Sequence, residues 1–361
     1  MFIEFSTENW LILINTLGVL YMFYLLSRST KALLKGSNVQ FLGIILTLFT
    51  WFYIGTRPIH CYADTRLYTE MFLLVQSGEW SEMAVADSEW FWEKVQQFCI
   101  DNTTVENWLL VVAAFYVGGI AFACWRWMPR HYTLSILFAF TAFSFWSYSN
   151  NGIRQGMASS LVIAGLACVT PAVRHNWVKL LPCLVLAILG CGTHNSMYIL
   201  LAAGLAAFFI PNRKLPYYVW VVCLVLSPFL SSFFQAYIED IISDQRVSYY
   251  NNSSYELFSR TGWRWDFILY SSVPVILGWY VEFKKKVADW NYTFMLSCYL
   301  YTNAAWMLIN EVPYSNRYAY ISWCLAPFLL AYPLSQLPIA KSQGVVAGRF
   351  LAGSMVFTLL F

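Results

Sequence analysis

Apolar runs near the roughly 20 residues that a bilayer requires recur along this chain, separated by short polar or basic turns. The pattern predicts membrane-spanning helices over Asn9–Leu26, Val39–Gly55, Val105–Trp125, Thr133–Ser149, Ile153–Val173, Leu180–Gly192, Met197–Ile210, Tyr217–Phe234, Trp265–Val281, Tyr292–Ile309, Tyr318–Leu334 and Val345–Phe361. Two longer polar segments, residues 56–104 and 235–264, interrupt the series. A membrane barrel would show alternating segments of about ten residues instead. The expected fold class is therefore all-α, a polytopic integral membrane protein of about 11–12 transmembrane helices. Leu180–Gly192 and Met197–Ile210 are short, so the Thr193-His194-Asn195-Ser196 turn between them is expected to lie recessed in the protein.

Composition strengthens this picture. The 361 residues are 59% hydrophobic and 11% charged, with a mean hydropathy of +0.54, a balance that excludes a soluble domain. No shift in composition marks a boundary, so residues 1–361 read as a single transmembrane domain. The first run follows Glu4 and Glu8 and precedes Arg28, Lys31 and Lys35, which predicts a retained span and not a cleaved signal. Seven of the nine cysteines fall inside predicted spans; only Cys61 and Cys99 share an extramembrane segment, where a disulfide would require an extracytoplasmic location. Four scattered histidines and the absence of CxxC or HExxH argue against a metal site, so no metal and no other cofactor is expected.

Charge sorts the loops by side. Alternate turns hold Arg28, Lys31, Lys35, Arg126, Arg130, Arg174, Lys179, Arg213, Lys214, Lys284, Lys285, Lys286, Lys341 and Arg349. These are 14 of the 22 basic residues, against two of the 19 acidic ones, Glu282 and Asp289. The positive-inside rule assigns that side to the cytoplasm and both termini to the outside. Segments 56–104 and 235–264, Arg154, His194 and Arg317 then share the outer side, which predicts one outward-facing cavity.

The turn Ser149-Asn150-Asn151-Gly152-Ile153-Arg154 carries an arginine one residue inside a helix start, with Asn151 and Gly152 as cap and turn. An arginine at a membrane rim must pair, snorkel or face water; backbone donors at the helix start make this position an anion site in outline. Arg260 and Arg264, spaced i and i+4 before Asp266, add to Arg154 and Arg317 a set of forks that match phosphate oxygens. Asp64 and Tyr68 share a face if their segment is helical, although Asp64 beside Arg66 equally reads as a solvated pair. His194, recessed, is either a structural histidine or a base for a hydroxyl proton. Glu89-Trp90-Phe91-Trp92-Glu93 suits either a glycan cleft or an interfacial helix.

The motifs Tyr62-Ala63-Asp64-Thr65 with Tyr68, Asn151-Gly152-Ile153-Arg154-Gln155-Gly156-Met157-Ala158, His194 with Ser196, and Pro313 through Arg317 resemble the EpsG-type branch of Wzy polymerases. These are bacterial O-antigen and exopolysaccharide polymerases. The resemblance implies a membrane-glycosyltransferase (GT-C-like) architecture in the inner membrane with an active site facing the periplasm. It implies a glycosyltransferase that uses an undecaprenyl-diphosphate-linked glycan donor and acceptor, with undecaprenyl diphosphate as leaving group and no metal. Asp64 or His194 would be the base. Arg154, Gln155, Asn151, Arg260, Arg264, Arg317, Tyr68 and Tyr314 would bind substrate. The partners expected are membrane lipids, a chain-length regulator and a flippase, and no nucleic acid. Two rivals are weighed against this: an acyltransferase that modifies glycans with His194 as base, and a lipid-linked oligosaccharide flippase. A flippase would spread charge through the membrane depth, and the predicted spans are nearly free of it.

Overall fold

The computed structural model describes residues 7–36, 39–60, 62–80, 89–174, 176–241, 263–311 and 315–360, and every regular element among them is helical. In chain order these are α1 (Thr7–Leu26), α2 (Thr30–Lys35), α3 (Gln40–Gly55), α4 (Ala63–Gln76), α5 (Trp90–Asn102), α6 (Val105–Trp127), α7 (Tyr132–Phe140), α8 (Phe143–Asn150), α9 (Ile153–Cys168), α10 (Leu181–Cys191), α11 (Met197–Phe209), α12 (Leu215–Ile241), α13 (Trp265–Trp279), α14 (Trp290–Met307), α15 (Ser315–Trp323), α16 (Ala326–Gln336) and α17 (Gln343–Leu360). Beyond Arg154 and Gln155 in its first turn, helix α9 is apolar or small all round, which suits a helix enclosed by others. Residues 153–167 are all buried, between α6 and α10 on opposite faces. Gly156 lets α9 approach α8 closely, since a Cβ there would lie 2.9 Å from the Tyr148 carbonyl oxygen.

Apolar side chains face outward as well as inward. Phe41, Ile44, Ile45, Leu48, Phe49 and Phe52 of α3 are each more than half exposed, a face that requires a lipid environment. Among the described residues, α6 is the one helix long and apolar enough to cross a bilayer by those criteria alone; α3, α9, α11 and α17 are among shorter apolar helices.

Several expected spans are shorter or broken. Thr133–Ser149 divides at Thr141-Ala142 into α7 and α8. The break is sustained because the carbonyls it frees are satisfied: Trp146 Nε1 donates to Phe140 O at 2.8 Å, and Ser354 and Thr358 of α17 donate to Thr141 O at 3.1 and 2.5 Å. Tyr318–Leu334 divides between α15 and α16, where Pro327 supplies no donor. The Ile153–Val173 run ends as helix at Cys168, shortly before Pro171. Residues 56–104 hold α4 and α5, and Cys99 there is a free, buried thiol whose pKa burial pushes up. Cys61 and most of 235–264 lie outside the described residues.

Several of the basic turns are tied to neighbouring segments by hydrogen bonds. His131 bonds Leu33 O at 2.8 Å, Thr30 donates to Lys341 O at 2.5 Å, and the Gln40 amide reaches Arg130 O. Asp289 accepts from Tyr332 at 3.0 Å, tying the turn after Lys284-Lys285-Lys286 to α16.

Candidate active site

Five helices begin in one neighbourhood: α4, α5, α9, α11 and α15 place Asp64, Glu89, Arg154, Ser196 and Arg317 at or within a turn of their N-termini. Each start contributes the partial positive charge of a helix dipole, so their convergence favours an anion. Local chemistry sets these positions. Tyr62, before α4, adopts φ +66° in the left-handed region, an uncommon conformation for a tyrosine. Phe91 N–H and Trp92 N–H of α5 donate to Gly192 O at 2.7 and 3.3 Å, which joins the start of α5 to the end of α10. A Cβ on Gly192 would lie 2.7 Å from the Trp90 indole, so only glycine permits that approach. Thr65 donates to Asn150 O at 2.6 Å and accepts from Arg57 Nε at 3.3 Å, pinning α4 against the α8–α9 turn.

At the centre, Arg154 Nη1 donates to Glu89 Oε2, with both side chains more than nine-tenths buried. The guanidinium also lies 5.8 Å above the Tyr68 ring, which is packed edge-on against Trp92. Arg154 Nε is buried with no protein partner among the described residues. Glu89 Oε1 accepts Asn195 N–H at 3.2 Å and lies 3.8 Å from His194 Nδ1. Gln155 Nε2 donates to Arg317 O at 3.0 Å and to Ser196 Oγ at 3.2 Å. Arg317 Nη2 meets Asp64 Oδ1 at 3.3 Å; its side chain is 46% exposed, so that corner opens to solvent. A buried arginine with one unsatisfied N–H, a second exposed arginine, a carboxylate and an imidazole thus meet around five helix starts.

The structure joins Asp64, Tyr68, Arg154, Gln155, His194 and Arg317 of the sequence-derived set. Asn151 is exposed and follows the last residue of α8, while Gly152 precedes the first residue of α9 and offers no side-chain cap, so the expected Asn151 cap is replaced by backbone turns. Arg264 stands apart: it forks onto Asp266 at 2.9 and 2.6 Å and lies 3.5 Å over the Phe267 ring. Arg260 and Tyr314 lie outside the described residues. In the aromatic segment Trp92 is core, whereas Trp90 remains 37% exposed. Sequence reasoning named Glu89 only within a possible glycan-cleft segment, not as the partner of Arg154, and gave no role to Arg57. The signal for Glu89 was Arg154 itself, a charge that had to find a partner.

The family model described as EpsG family matches residues 40–361. No curated protein and no solved structure matches the chain.

Proposed function

The chain belongs to the EpsG family, and from that premise we propose that it joins undecaprenyl-diphosphate-linked oligosaccharide repeat units into O-antigen or exopolysaccharide at the outer face of the inner membrane. Family membership itself places the chain among membrane proteins with a polysaccharide-polymerase, glycosyltransferase-like role. The observation that carries the finer reading is the meeting of Arg154, Arg317, Asp64 and His194 at five helix starts. Such a site suits a diphosphate and a hydroxyl reacting side by side.

In the reaction, the acceptor hydroxyl attacks the anomeric carbon of the donor glycan, the bond to the diphosphate oxygen breaks, and the anomeric centre inverts. Arg154 and Arg317 stabilise the charge that builds on the departing diphosphate. Asp64 or His194 takes the hydroxyl proton. Glu89 holds the Arg154 guanidinium by one edge, which fixes where its remaining donors sit.

Membranes containing the chain are expected to convert isolated lipid-linked repeat units into a ladder on a glycan gel, with no sugar nucleotide and no acyl donor added. Cells lacking the gene are expected to display single-repeat glycan. A ladder that forms only when a sugar nucleotide is supplied would overturn the reading.

Sidedness has its own test. The Lys284-Lys285-Lys286 turn lies on the basic side, so a single cysteine at Lys285→Cys in a cysteine-free background should resist a membrane-impermeant thiol reagent applied to intact cells. Labelling from outside would reverse the orientation.

A further inference from the structure

Four hydrogen bonds determine which nitrogen of His194 carries its proton. Gln155 Nε2 lies 3.0 Å from the Arg317 carbonyl oxygen, which only accepts, so the amide nitrogen occupies this position and donates. Its second N–H is directed to Ser196 Oγ at 3.2 Å. The Ser196 hydroxyl, accepting from Gln155, has its own proton to give, and His194 Nδ1 is 2.9 Å away. Ser196 backbone N–H, which only donates, lies 3.1 Å from the same Nδ1. Two donors thus face one ring nitrogen, so Nδ1 accepts and the neutral imidazole holds its proton on Nε2.

The Glu89 carboxylate does not oppose this. Glu89 Oε1 is 3.8 Å from Nδ1, beyond hydrogen-bond distance, and takes Asn195 N–H at 3.2 Å; Glu89 Oε2 takes Arg154. Glu89 therefore does not draw the proton to Nδ1.

We infer that Ser196 and Gln155 are positioning residues that fix His194 as the Nε2–H tautomer, so that His194 donates a hydrogen bond to an anionic diphosphate oxygen and does not act as the base. The inference rests on the reading of this site as a diphosphate-donor transferase. With the Nδ1 lone pair committed and Nε2 protonated, the ring has no lone pair for an incoming hydroxyl proton. That role falls to the Asp64 carboxylate.

The tautomer can be read without any turnover. In the full chain, reconstituted in lipid bilayers with 15N-labelled histidine, the four histidines give resolvable ring signals, and His194→Gln identifies those of His194. The neutral wild-type ring is expected to show a protonated Nε2 and a bare Nδ1; a predominant Nδ1–H form would overturn the inference. Ser196→Ala removes one of the two donors, so an Nδ1–H population is expected to emerge; an unchanged spectrum would remove the positioning role. Polymerisation supplies a second readout. His194→Gln keeps a donating side-chain amide but cannot take a proton, and is expected to stay within about tenfold of wild type, whereas His194→Ala falls about 100-fold, the usual effect of losing one such donor. Equal loss in both variants at normal membrane level would make His194 the base. The spectra stand even if the chain fails to polymerise lipid-linked repeats, so failure of this inference and of the functional reading can be told apart.

Discussion

Arg154→Ala is expected to reduce surface glycan to single repeats and also to lower the amount of protein in the membrane. Two effects combine because Arg154 both pairs with Glu89 in a buried site and, in the proposed reaction, binds diphosphate. Removing one member of a buried ion pair leaves an uncompensated charge and typically costs about 3–5 kcal/mol. Replacing both members with apolar side chains of similar volume is often neutral. The double variant Arg154→Met, Glu89→Leu is therefore expected to recover the wild-type membrane level by immunoblot. It should still make no polymer, since losing one preorganised donor at a developing charge costs about 100- to 1000-fold in rate. Arg154→Lys keeps the charge beside Glu89 but not the fork, so near-normal protein with shortened glycan is expected. Full-length polymer from the double variant would make Arg154 a structural counter-ion and nothing more.

The need for that counter-ion was legible in the sequence, while its identity was not. Glu89 lies 65 positions from Arg154, in a segment whose aromatic residues fitted an interfacial helix equally well. Contact between the two depends on α5 hanging its first N–H groups on Gly192, which has no sequence signature beyond a glycine after a short apolar run. Helix position was readable wherever hydrophobicity and a breaker coincided. The run predicted from Val105 is α6 from its first residue, and Val39–Gly55 differs from α3 by one residue. Breaks inside apolar runs were hidden because remote residues stabilise them. The Thr141 carbonyl that ends α7 is satisfied by Ser354 and Thr358, more than 200 positions away. Convergence of five helix starts was likewise beyond a sequence in which α4 and α5 lay within one long polar segment.

Asp64→Asn should abolish polymer while leaving both membrane level and donor binding intact. Asparagine keeps the size of the side chain and an acceptor oxygen for Arg317, but cannot accept a hydroxyl proton. The ion pair it weakens is a modest one. Arg317 is 46% exposed and 3.3 Å from the carboxylate, so the pair contributes at most about 1 kcal/mol, too little to unfold the chain. A general base, by contrast, contributes about 100- to 10,000-fold to the chemical step. The two roles therefore predict different patterns: a merely structural Asp64 gives near-normal polymer, and a catalytic one gives none at equal protein. Its position supports the second. Asp64 sits in the first turn of α4, beside an arginine that the reaction would engage with diphosphate. In the proposed reaction, Arg317 turning toward the donor phosphates would loosen its hold on the carboxylate as the acceptor hydroxyl approaches. Donor binding would be followed by retention of a radiolabelled lipid-linked repeat on the purified variant, and chain length by glycan gel. Full-length chains from Asp64→Asn at wild-type protein level would remove the carboxylate from the mechanism.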